Sequence, residues 1–224
     1  MKNLVIVGAG KIAEIASDCF SKSDDYRIVG YSVDREFCSG KEVDGLPLVP
    51  LDELVNEFPP TSHIVFVAVG YHECNRVRKR LFRELEAFGY EFASYVSPFA
   101  SVCSNFELAR NVLVLDFVSV QTKAVVEDGA FLFSGATVGH HSTVGAHCWV
   151  ASGTTIGGAS VLAEMCFLGL NATIGHEVSI GSRSFIGAGG LVLKNLVSGS
   201  VVIEKDSEVI RLDVDRFLQF TKMK

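Results

Sequence analysis

The chain has no uninterrupted apolar run of 18 residues, so it contains no candidate for a membrane-spanning helix. It has no excess of basic charge: 20 Lys and Arg stand against 26 Asp and Glu, for a net charge of −6 and a pI near 5.5. That balance argues against nucleic acid as the main partner, because phosphate binding needs a basic face. A C-x-x-C pair is also missing. The six cysteines (Cys19, Cys38, Cys74, Cys103, Cys148 and Cys166) are scattered, which favours reduced, mostly buried thiols in a cytoplasmic protein over a zinc site or disulfide frame. The opening MKNLVIVGAG carries one lysine and a short apolar run that Gly8 and Gly10 interrupt, with no cleavage site after it, and reads as a first β-strand. What is present is material for a core: 48% of the 224 residues are apolar, enough for one large domain or two small ones.

The dominant pattern is a six-residue repeat. Stepping by six from Val102 meets Leu108, Val114, Val120, Val126, Leu132, Val138, Val144, Val150, Ile156, Leu162, Leu168, Ile174, Ile180, Ile186 and Val192, all Val, Leu or Ile. The next residue is often small, as at Gly139, Gly145, Gly157 and Gly169. A helix repeats its buried face at about 3.6 residues and a strand at about 2, so neither alone gives this period. Six residues fit a short flat strand and a tight corner, and three such units close one triangular coil. The aliphatic then points into the prism, and the small residue fits a crowded corner. Coils stack at about 4.8 Å, so roughly five give a prism about 24 Å tall. Its flat apolar faces predict a homotrimer.

Residues 1–97 read as an α/β domain with a parallel sheet. Strands are expected at Lys2–Val7, Tyr26–Val33, His63–Val69 and Phe92–Val96, and helices at Lys11–Ser21, Leu51–Phe58 and Glu73–Phe88. Pro98 marks the boundary to the repeat at 98–195, and 196–224 forms an extension with a helix from about Asp213 to Phe220. Gly8, Gly10 and Asp34 imitate a dinucleotide fingerprint. An NAD-dependent oxidoreductase would need a second mononucleotide-sized half, and the repeat occupies the rest of the chain. The loop then either packs a helix on the sheet or approaches a phosphorylated or nucleotide-linked substrate with helix N-terminal amides.

VIVGAG at 5–10, VGYSVD at 29–34, VDGLPLVPLDEL at 43–54, VAVG at 67–70 with Asn75 and Arg76, GYEFASYVSPFASV at 89–102, VGHHSTVG at 138–145 and FLGLNATIG at 167–175 together resemble the bacterial nucleotide-sugar acetyltransferases of the PglD/NeuD type. The likeness runs from residue 1 to about 195. It implies a Rossmann-like N-terminal domain that binds the sugar nucleotide, through Gly8, Gly10, Asp34, Gly70 and Asn75. It implies a left-handed parallel β-helix, with acetyl-CoA along the prism edge between subunits of a trimer. By resemblance His140 is the general base. His141 stands where the family usually has an acidic residue and assists. Gly158, one 18-residue coil further on, offers its N–H to the thioester carbonyl. Trp149, Leu170 and Ala188 match CoA contacts. The family's Pro-Ala loop after the last coil is missing, since 199–207 contains no proline.

The residues themselves are suited to acyl transfer. A histidine can accept the proton released by an attacking amine, and a fixed N–H at the developing oxyanion contributes about 3 kcal/mol. Nothing marks Cys148 or Cys166 as an activated nucleophile. His147 reads as structural. His176 stands two coils above His140, about 10 Å up the same column, and either touches CoA or is a plain surface residue. Zinc would need a third ligand near residue 181, which is Gly181, so no metal is expected. The expected activity is N-acetylation of an amino group on a nucleotide-linked amino sugar, such as a 4-amino-4,6-dideoxyhexose, for surface polysaccharide assembly. The rivals are O-acetylation of a sugar of the sialic-acid type, and a non-catalytic β-helix scaffold.

Overall fold

The computed structural model describes residues 1–221. β1 (Lys2–Val7) sits inside a six-stranded sheet because Leu4, Val5, Ile6 and Val7 are apolar on both faces; all four are fully buried. After it come α1 (Lys11–Ser21), β2 (Tyr26–Val33), β3 (Glu42–Val43), β4 (Leu46–Pro50), α2 (Leu54–Glu57), β5 (His63–Val67), α3 (Arg76–Ala87) and β6 (Glu91–Phe92). The sheet order is β3-β4-β2-β1-β5-β6, and every pair is parallel except the β3–β4 hairpin. Leu4 and Ile6 face α1, while Val5 and Val7 face α3 and the 51–58 segment. The helix expected from Glu73 starts only at Arg76. Glu73, Cys74 and Asn75 all have positive φ, which no right-handed helix accommodates. The strand expected over 92–96 is split, and its second half, Tyr95–Val96, pairs with Leu113–Val114 in the repeat region.

From Tyr95 to Val202 the chain forms seventeen two-residue strands in three parallel sheets of seven, six and four strands. Paired strands lie 18 residues apart, as in Thr137↔Thr155 and Val138↔Ile156, except the last pair, Phe185↔Val201, which lies 16 apart. The aliphatics from Val114 to Val192 form one buried core. Leu108 is the exception. It is 49% exposed and lies outside any strand, and Phe106 and Ala109 pack against the bottom of the core instead. The third face therefore begins only at Val125–Val126.

The small residue after each aliphatic sits in a crowded corner, as expected, and is not the one in a left-handed conformation. Positive φ recurs every six residues from Asn111 to Gly189, three places after the aliphatic, and it is borne by His141, His147 and Asn171 as well as by glycines. The small residue answers to crowding instead. A Cβ on Gly139 would lie 2.6 Å from the Gly158 nitrogen on the next coil, and one on Gly169 would lie 2.6 Å from the Ala188 nitrogen.

Every third repeat presents a large apolar residue outward: Leu113, Phe131, Trp149, Phe167 and Phe185, all on the seven-stranded face. This column receives the α/β domain. Phe66 stacks on Phe131 at 5.6 Å, and Tyr71 lies 5.1 Å from Trp149 and 4.7 Å from Phe167. The six-stranded face instead shows Ser119, Thr137, Thr155 and Thr173. α4 (Val214–Thr221) carries no buried residue, and residues 222–224 of the expected C-terminal extension lie outside the described residues.

Candidate active site

Two corners of the prism carry the candidate chemistry. At the corner between the six- and four-stranded faces, His140 and His141 follow the strand Thr137–Val138. Their Nδ1 atoms are 3.1 Å apart, so one donates and the other accepts. The edge of the His140 ring that bears Nε2 lies on Gly158: a Cβ there would come within 2.6 Å of it. The His140 backbone N–H donates to Gln121 Oε1 at 3.0 Å, which pins the corner from the coil below.

His176 closes the group. Two rungs separate it from His140 along the wall, yet the side chains lean together and the ring centroids are 6.4 Å apart rather than the expected ~10 Å. Its Nδ1 accepts the Gly158 backbone N–H at 2.9 Å. The donor that the resemblance assigns to the thioester carbonyl is therefore already engaged. All three imidazoles are exposed, whereas Gly158 is buried beneath them.

The other corner joins the seven- and six-stranded faces. Trp149, Leu170 and Ala188 line a single groove of about 460 Å³ with Phe133, Phe167, Phe185 and Tyr71. Its walls are mostly apolar and aromatic, and they suit an adenine ring or an acyl-pantetheine arm. The three residues matched to CoA contacts are thus brought together, while the histidine corner stands at the opposite edge of the six-stranded face.

In the α/β domain Gly8 has φ +129°, and a Cβ on it would lie 2.6 Å from the Ala68 carbonyl oxygen, so only glycine lets β1 turn against the end of β5. Gly10 precedes α1 with open space around its Cα, and Gly70 leads into Tyr71 at the groove. Asp34 does not stand free. Arg80 of α3 grips it with two hydrogen bonds, at 2.6 and 3.2 Å. Asn75 is fully buried, and its Nδ2 donates to the Met165 and Cys166 carbonyls at 3.4 and 3.3 Å. Asp34 and the Asn75 amide nitrogen are held by protein partners, while the buried Asn75 Oδ1 has none among the described residues.

The residue that sequence reasoning missed is Arg78. Its guanidinium is fully buried and, among the described residues, pairs with no carboxylate. It donates to the carbonyls of Gly129 (3.1 Å), Val69 (3.3 Å), Gly70 (3.4 Å), His147 (2.7 Å) and Cys148 (3.3 Å), and it lies 4.4 Å over the Phe131 ring. Burial lowers its pKa to about 9. Five carbonyl dipoles and an aromatic face replace the counter-ion. His147, beneath Phe82, is structural as expected; burial foremost, and the nearby Arg78 charge, push its pKa down to about 4. Cys148 and Cys166 lie inside the prism and donate to the Ala163 and Gly181 carbonyls, and burial pushes the Cys148 thiol well up. Neither is an accessible nucleophile. Among the described residues no three His, Cys, Asp or Glu side chains group as metal ligands, and no helix is long and apolar enough to cross a membrane.

Residues 3–85 match the family model described as the PglD N-terminal domain. No curated protein matches the sequence. Among solved structures the chain is similar to the acetyltransferase domain of PglB from Neisseria gonorrhoeae FA1090, with 24% identity and a TM-score of 0.81 over 90% of this chain and 96% of that one. It is similar to PerB from Caulobacter crescentus, solved in complex with CoA and GDP-perosamine, with 26% identity and a TM-score of 0.76 over 90% and 93% of the two chains. A third structure, of perosamine N-acetyltransferase from the same organism with a histidine replaced by asparagine, again with CoA and GDP-perosamine, gives 25% identity and a TM-score of 0.77 over the same shares. Residues 3–85 thus match the PglD N-terminal domain model, and over 90% of its length the chain has the fold of these acetyltransferase structures.

Proposed function

We propose that this protein transfers an acetyl group from acetyl-CoA to the amino group of a nucleotide-linked amino sugar, such as a 4-amino-4,6-dideoxyhexose, with His140 as general base. The observation that carries the reading is the pairing of His140 with His141 through their Nδ1 atoms, above the one glycine whose missing side chain makes room for the ring. If His140 donates its Nδ1 proton to His141, its Nε2 is left as an acceptor for the proton of the attacking amine. His141 thereby orients the base as a neutral acceptor, in the place of an acidic residue. Trp149, Leu170 and Ala188 hold the CoA arm, and the loop bearing Gly8, Gly10 and Gly70 faces the nucleotide.

The reading includes a homotrimer. In one protomer the groove and the histidine corner lie on opposite sides of the six-stranded face, and a neighbouring copy would bring one against the other. It also places the enzyme in the cytoplasm, in surface polysaccharide assembly. The test is a panel of nucleotide-linked amino sugars, GDP-perosamine among them, incubated with acetyl-CoA and scored by mass gain and by the atom modified. N-acetylated product is expected, with His140→Ala losing about 10²- to 10⁴-fold in kcat. An O-acetylated product would move the reading to the sialic-acid type, and unchanged turnover in His140→Ala would remove the base. Failure to bind acetyl-CoA at all would leave a scaffold.

A further inference from the structure

We propose that Tyr71, on the loop between β5 and α3, is a CoA-binding residue, so that the α/β domain supplies one wall of a groove whose other wall is the prism. This rests on the acetyl-transfer reading above, which assigns that groove to CoA. β5 ends at Val67 and α3 starts at Arg76, and the loop between them is pinned on both sides of Tyr71. Before it, the Val69 and Gly70 carbonyls accept from the buried Arg78 at 3.3 and 3.4 Å, and the same guanidinium donates to the His147 and Cys148 carbonyls of the prism. After it, Cys74 Sγ donates to the Met165 carbonyl at 3.4 Å, and Asn75 Nδ2 donates to the Met165 and Cys166 carbonyls. Glu73, Cys74 and Asn75, which close the loop, have φ of 50°, 53° and 67°, and none is glycine. Left-handed backbone at residues with side chains is costly, and it persists where the surroundings hold a segment in place for use.

Between those anchors the chain sets a large ring that is not covered. Tyr71 is 51% exposed, although it rests on the buried rings of Trp149 and Phe167. A ring that only packed the domain on the prism would be covered, as Phe66 is: it stacks on Phe131, one rung below Trp149, and is fully buried. Tyr71 instead lines the groove together with Trp149, Leu170 and Ala188. No charged side chain lines that groove, so the part of CoA it takes is an uncharged one, not the phosphates. An aromatic wall on one side and a second one opposite suit such a group, and each adds contact at little cost in side-chain freedom.

Trp149 is the only tryptophan of the chain, so its emission reports on the groove. The experiment titrates CoA into the full-length wild type, Tyr71→Ala, Tyr71→Phe and His72→Ala, with Kd from calorimetry and Trp149 emission followed in parallel. His72 is exposed on the same loop and lines no part of the groove, so its variant controls for disturbance of the loop. In the wild type CoA is expected to change the Trp149 emission. Tyr71→Ala is expected to weaken CoA about tenfold, while Tyr71→Phe and His72→Ala stay within about twofold. A Tyr71→Ala variant that binds CoA as the wild type does, and unfolds at lower urea, would overturn the proposal and leave the ring as packing between the domains. Equal weakening in His72→Ala would also overturn it, by assigning the loss to the loop as a whole. The parent reading fails in a different way: a wild type that binds no CoA, or binds it with Trp149 emission unchanged, would take the groove away from CoA and the proposal with it.

Discussion

His141 and His147 occupy equivalent places in successive repeats, each three residues after an inward valine and each in a left-handed backbone conformation. Their surroundings are opposite. His141 is exposed and hydrogen-bonded to His140. His147 is buried under Phe82, its Nδ1 has no partner, and its carbonyl binds Arg78. The repeat sets the backbone of every corner alike. What each corner can do is decided by whether the α/β domain covers it. The corner beneath α3 is dry and structural, and the next corner round is wet and offers three imidazoles.

The largest effect that would break this contrast is loss of Arg78. Arg78→Met leaves five carbonyls on the covered corner without their donor and should cost about 3–5 kcal/mol of stability, read by urea denaturation. Arg78→Lys should not restore it, because one ammonium cannot span the contacts of a planar fork.

The second effect is a pH dependence confined to the covered corner. His147 has a folded pKa near 4 against 6.5 for the free side chain. Between those values the unfolded chain binds the extra proton, so stability falls as pH drops from about 6.5 to about 4, by roughly 3 kcal/mol in all. His147→Gln should flatten that slope in denaturation measured across the window. An unchanged slope would assign the acid sensitivity to other groups.

On the open corner, Gly158→Ala drives a Cβ into the His140 ring, at 2.6 Å. A displacement of this order costs about 10²-fold in kcat, while the melting temperature should barely change, since the far end of an exposed ring can move aside. The smallest effect is His141→Glu. A carboxylate beside His140 favours the charged imidazolium more than a neutral ring does, so the acidic limb of the kcat/KM profile should move up by about one pH unit. No movement would mean that the His140–His141 contact does not orient the base.

Much of this was legible in the sequence. Lys2–Val7, Lys11–Ser21 and Tyr26–Val33 were read with the bounds they have, and the six-residue period located the prism. Leu108 satisfied the pattern and still stayed outside the core, because a period does not show where stacking begins and the first coil has no partner beneath it. The 18-residue column of Phe131, Trp149, Phe167 and Phe185 was visible in principle. It lies on the outward position, which the inward repeat conceals. The Asp44-Gly45 turn of the β3–β4 hairpin was a signal of the same kind, with φ of 52° and 75°. The partners of Arg78 were not legible. α3 carries Arg76, Arg78, Lys79, Arg80 and Arg83; only Arg78 shares the i, i+3, i+4, i+7 stripe with Leu81, Phe82 and Leu85, but that stripe does not show what would receive its charge. The partner of Asp34 was not legible either, since Arg80 lies 46 residues away.

The account is tested most directly by measuring acetyl transfer and melting temperature side by side in His140→Asn and His147→Asn. The prediction is a division of effects: the first loses about 10²- to 10⁴-fold in kcat and keeps its melting temperature, while the second melts lower and keeps its kcat. Full turnover in His140→Asn, or a turnover defect confined to His147→Asn, would contradict the assignment of chemistry to the open corner.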